Sequence, residues 1–148
     1  MNETDPFSPY SSKFIIVRSS ERPTYKQLFD YSVANYYDKV CCIANTDIVF
    51  NDTISVLGNL PWENRVLALG RHELVLGQYE TAVNLHDVPY SQDAWIFHTT
   101  FVKVPEDADF RLGIPGCDNR IALLLFLAGN KVYNPCKDIA YSFRKVKE

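Results

Sequence analysis

The chain has 148 residues, 47% apolar and 22% charged, which suits one globular domain with a real core. A net charge of −3 and no basic block exclude a nucleic-acid backbone as the natural partner. The longest apolar run, Ile121 to Ala128, is too short to span a bilayer, which needs about 18–20 residues.

Met1 to Ser12 is rich in Ser, Pro and Asn and reads as a flexible arm without a signal peptide, so a cytoplasmic setting is expected. Cysteines stand at 41, 42, 117 and 136 with no C-x-x-C spacing. All four read as reduced thiols, and no structural zinc site is expected.

Lys13 to Val17 carries four consecutive apolar residues and predicts a strand. Arg18 to Pro23 is a loop, and Pro23 suits the first turn of a helix. The helix is predicted from about Thr24 to Tyr36, with Tyr25, Leu28, Phe29, Ser32, Val33 and Tyr36 as its stripe. A strand at Lys39 to Ala44 follows. Strand, helix and strand at this spacing predict a parallel pair with a right-handed crossover.

Asn45-Thr46-Asp47 ends that strand. On an extended backbone Asn45 and Asp47 would point the same way. Two oxygen-bearing side chains so placed suit a hard divalent cation. From this stretch alone an ordinary strand end with Asx-turn residues is the competing and favoured reading. Ile48-Val49-Phe50 continues apolar, and Asn51 or Asp52 predicts an N-cap for a short helix through Leu57.

Pro61 and Trp62 fall in a loop, and Arg65 to Leu69 predicts a strand. Arg71, His72 and Glu73 follow it, with His72 read as a surface histidine. Leu74 to Pro89 has no clean period and reads as an irregular excursion. Ser91-Gln92-Asp93 leads into a strand at Ala94 to Phe97, and Phe101 to Phe110 reads as a loop. A helix is predicted from about Asn119 to Ala128, closed by Gly129. Val132-Tyr133 reads as the final strand, and Arg144-Lys145-Lys147 as a solvated tail.

Alternating strands and helices predict an α/β layer fold. In such sheets ligands gather at the carboxyl ends of strands. Polar clusters are predicted there at Asn45/Asp47, Arg71/His72/Glu73, Ser91/Gln92/Asp93 and Asp118/Asn119. Asp118 can be a helix N-cap or a carboxylate at a cleft rim, acting as base or holding a sugar hydroxyl. Asp93 has the same two readings, turn or site.

Four segments carry a resemblance. Ala44 to Phe50, followed by Asn51-Asp52-Thr53-Ile54, is similar to an A-N-S/T-D-I-x-F segment. Arg22-Pro23-Thr24-Tyr25 resembles an R-P-T-Y helix opening. Ser91 to Phe97 resembles S-Q-D-A/S-W-I-F, and Gly113 to Ala122 resembles G-x-P-G-C-D-N-R-I-A. In this order, over roughly Lys13 to Asp138, they resemble a group of GT-A-fold glycosyltransferases with bacterial polysaccharide and large-virus members.

The resemblance implies a single GT-A-like, Rossmann-like domain over 13–148. Its sheet would be mixed and mainly parallel, flanked by helices and N-terminally shortened. It implies transfer of a sugar from a nucleotide-sugar donor to a glycan or other hydroxyl acceptor. Asn45-Thr46-Asp47 would stand at the D-x-D metal motif, with Asp47 and Asn45 holding Mn²⁺ or Mg²⁺ against the donor diphosphate. Asp118 would deprotonate the acceptor, Asp93 would face sugar or acceptor, and Arg71 would pair with a phosphate or sugar oxygen. The motif has an amide at Asn45 where a D-x-D motif has a carboxylate, and no His follows Asn134-Pro135. A catalytically degenerate nucleotide- or carbohydrate-binding module of the same fold is the alternative implied. An oligomer is compatible with both.

Overall fold

The computed structural model describes residues 12–70, 72–73, 92–135 and 142–144. Apart from Ser12, the arm expected at the N-terminus lies outside them, as do the excursion at 74–89, Arg71, Ser91 and Cys136. Helix α1 spans Tyr25–Asn35, and strands β1 (Val40–Ala44) and β2 (Ile48–Phe50) follow. A 3-10 helix at Asp52–Asn59 precedes β3 (Arg65–Leu69), β4 (His72–Glu73) and β5 (Ala94–His98). Helix α2 (Cys117–Leu127), β6 (Lys131–Tyr133) and β7 (Ser142–Arg144) complete the order.

The main sheet has four strands in the order β1-β5-β3-β6. Only β3 and β6 pair in parallel; β5 runs antiparallel to both its neighbours. The expectation of a mainly parallel sheet is therefore corrected to a mixed sheet with more antiparallel pairing. The cause lies in the connection. Asp93 N–H donates to Leu69 C=O at 2.8 Å, so the chain re-enters the sheet at the end where β3 leaves it. A strand that starts where its neighbour stops runs back antiparallel. A second sheet, β2-β7-β4, is formed by short strands. Its β7 replaces part of the expected tail at Arg144.

The strand expected at Lys13 to Val17 is not formed. Residues 14–19 have no regular structure, and Ile15 and Val17 are 72% and 65% exposed. The parallel crossover pair with β1 is accordingly absent, and β1 pairs with β5. The approach to α1 is held instead by the loop at 108–112. Tyr25 N–H donates to Phe110 C=O, Lys26 N–H to Ala108 C=O, and Leu112 N–H to Pro23 C=O. An isolated bridge links Thr24 and Arg111.

Helix α1 begins with a capping box. Thr24 Oγ1 accepts from Gln27 N–H at 3.2 Å, and Gln27 Oε1 accepts from Thr24 N–H at 3.0 Å. Its stripe buries Tyr25 and Phe29, while Val33 and Tyr36 remain partly exposed. Helix α2 ends in a Schellman motif. Gly129, at φ +93°, donates to Phe126 C=O, and Asn130 N–H donates to Leu125 C=O.

Both faces of the sheet are covered. Ile43, Val66, Ala68, Trp95 and Phe97 pack against Tyr25 and Phe29 of α1 and Cys117, Ile121 and Leu125 of α2. On the other face Leu67, Leu69, Ala94 and Ile96 pack against Leu57 and Trp62. Coverage on both faces explains the unbroken apolar run of β5 despite its antiparallel pairing. Trp62, expected in a loop, is that loop's anchor: it is buried, and its Nε1–H donates to Leu57 C=O at 3.0 Å. The result is a small α/β fold with a mixed sheet. Among the described residues no helix is long and apolar enough to cross a membrane.

Candidate functional site

One end of the main sheet collects the polar residues. β1 and β3 both run antiparallel to β5, and β6 is parallel to β3. Asn45, Gly70 and Asn134, which follow β1, β3 and β6, therefore share an end with Asp93, which precedes β5. Gly70 N–H donates to Asn134 Oδ1 at 3.5 Å across that end. Both helices lead into strands through short connections, α1 into β1 and α2 into β6. Their N-termini thus lie at the same end, where Tyr25 and Asp118 sit.

Asn45 and Asp93 are in contact. Asn45 Nδ2–H donates to Asp93 Oδ1 at 2.8 Å, and Asn45 N–H donates to Asp93 C=O at 3.0 Å. Asp93 is buried at 7% exposure, whereas Asn45 is exposed. Placing a carboxylate there requires polar partners, and the Asn45 amide is one.

The backbone at Asn45-Thr46-Asp47 is a turn, with Ile48 N–H donating to Asn45 C=O at 3.4 Å. The extended geometry expected to point Asn45 and Asp47 the same way is corrected on this ground. Asn45 turns its amide to Asp93. Thr46 is exposed and Asp47 is half-buried. Arg71 lies outside the described residues.

Asp118 is not the N-cap of α2. Gly116 occupies that position in the left-handed conformation, at φ +79°, with no side-chain cap. Asp118 stands in the first turn, where the helix dipole favours negative charge. Its Oδ1 accepts from Tyr25 O–H at 3.3 Å and from Cys117 Sγ–H at 3.2 Å. Tyr25 O–H and Cys117 Sγ are 3.7 Å apart. Burial, the Cys117 contact and the Asp118 charge together push the Tyr25 phenol well above the ordinary tyrosine range.

Tyr25, which the helical spacing marked as core, also reaches the Asp118 carboxylate. It does pack as core, edge-on to Trp95 with ring centroids 6.2 Å apart and tilted against Phe110 at 5.4 Å. The available signal was its place in Arg22-Pro23-Thr24-Tyr25, because the structure joins that segment to the loop before Asp118. Arg22 Nη1–H donates to Leu112 C=O at 3.1 Å, and Glu21 pairs with Arg111. Gly113, at φ +74°, lies against Arg22, and a Cβ there would run into the guanidinium. Arg120 stacks over Phe110, 4.2 Å from the ring centre.

The fold is a small α/β domain in which Asn45, Asp93 and the start of α2 share one end of the sheet. Comparison with family models, curated proteins and solved structures returns no match.

Proposed function

We propose that this chain is a metal-dependent glycosyltransferase, moving a sugar from a nucleotide-sugar donor to a glycan or other hydroxyl acceptor. The observation that carries the reading is the Asn45–Asp93 contact. It joins the strand-end motif to the Gln92-Asp93 segment at the sheet end that Asp118 also shares. The ordered resemblance of four segments supports the same reading.

Mn²⁺ or Mg²⁺ would be held by Asp47, whose carboxylate offers the hard oxygen donors these ions prefer; the turn at 45–47 commits the Asn45 amide to Asp93. When bound, the ion supplies charge neutralisation on the leaving diphosphate.

The protein's own groups do the rest. Asp93 faces the sugar or the acceptor. Asp118 takes the acceptor's hydroxyl proton as the acceptor oxygen bonds to the anomeric carbon. The bond to the diphosphate breaks, and its electron pair leaves on the diphosphate.

The test is thermal. Mn²⁺ and a nucleoside diphosphate together raise the melting temperature more than either does alone, because each binds the native state. No shift across UDP and GDP would count against the reading. One observation favours a second reading, a binding module without turnover: the motif is neutral at Asn45. That module would bind nucleotide or sugar, form no product, and bind equally well after Asp118→Asn.

A further inference from the structure

We propose that Tyr25 is a positioning residue for the Asp118 carboxylate. This rests on the reading of Asp118 as the base in glycosyl transfer. Tyr25 O–H and Cys117 Sγ–H converge on the same carboxylate oxygen, Oδ1, at 3.3 and 3.2 Å. Among the described residues Oδ2 has no hydrogen-bond partner. Two donors on one oxygen fix the rotation of the carboxylate and leave Oδ2 to receive the acceptor's proton.

The phenol is itself held. Tyr25 is 2% exposed, its ring packs on Trp95 and Phe110, and its N–H donates to Phe110 C=O at 3.1 Å. A base placed by a locked group reacts from one geometry, and small misplacements are costly. Arg22 to Tyr25 is thereby the seat of Gly113 to Asp118.

The variants are Tyr25→Phe, which keeps the ring, and Asp118→Asn. The first readout needs no activity: the hydroxyl proton of Tyr25 by NMR. It is expected at low field in the unsubstituted protein, absent in Tyr25→Phe, and moved upfield in Asp118→Asn. The second is kinetic. Tyr25→Phe is expected to lower kcat about tenfold or more, the range carried by a hydrogen bond to a charged group, with donor KM within about twofold.

An unmoved hydroxyl proton in Asp118→Asn overturns the positioning. So does full kcat in Tyr25→Phe when the unsubstituted protein transfers sugar. If the unsubstituted protein turns over no donor, glycosyl transfer falls, and the hydroxyl signature alone decides whether the phenol holds the carboxylate.

Discussion

Replacing Asn45 with Asp restores a carboxylate to the motif and places it against Asp93. The present amide donates to Asp93 Oδ1 at 2.8 Å, so the substitution exchanges a hydrogen bond for a like-charge contact. Two unit charges about 4 Å apart interact by about 4 kcal/mol at an effective dielectric near 20 and about 1 kcal/mol in water. Asn45 is exposed, so the lower part of that range applies, about 1–2 kcal/mol. For a chain of this size that is a fall in Tm of about 3–6 °C.

The sign with pH follows. Paired carboxylates bind protons more tightly in the folded chain than in the unfolded one. The deficit therefore grows as pH rises through the carboxylate range and closes toward about pH 3. Differential scanning calorimetry of both proteins from acid to neutral pH measures it, and Mn²⁺ should shrink the neutral-pH deficit. A variant as stable as the parent at neutral pH would refute the contact.

Three further outcomes follow from the geometry. The raised phenol of Tyr25 contributes stability that is complete below about pH 10, the unfolded value, and is lost above it at up to about 1.4 kcal/mol per pH unit. The stability difference between the parent and Tyr25→Phe, from urea titrations, should thus shrink above pH 10; a constant difference would contradict the burial of that hydroxyl. Gly113→Ala and Gly116→Ala should each cost about 1–2 kcal/mol for placing a side chain on a left-handed backbone; the exposed Arg22 guanidinium beside Gly113 swings aside, so Arg22→Ala should recover little of the loss. Asn130 is 3% exposed; its amide donates to Lys103 C=O at 2.8 Å and Leu125 C=O at 2.9 Å and accepts from Lys103 N–H. Asn130→Ala should lower the urea midpoint by the equivalent of about 2–3 kcal/mol, with m unchanged.

Elements with strong local signals were legible in the sequence. The α1 stripe, the β3 and β5 runs, and Gly129 after α2 all stand within a residue or two of where pattern and turn chemistry put them. Strand direction was not legible, because an apolar run reports burial on both faces and says nothing of which way a strand runs. The segment at 14–17 shows the same limit. Its residues suit a strand, yet they pair with none of the described strands, and the helix entry is held by 108–112. At the candidate site, the positions of Asp93 beside a strand and of Asp118 at a helix start were legible. The Asn45–Asp93 contact and the Tyr25–Asp118 contact were hidden, since they join residues 48 and 93 positions apart.

The central claim is tested most directly by hydrolysis of nucleotide sugars in the presence of Mn²⁺, with Asp47→Ala alongside. The account predicts that at least one UDP- or GDP-sugar releases its sugar, and that Asp47→Ala abolishes this. Release that continues undiminished in Asp47→Ala, or no release from any donor, would contradict it.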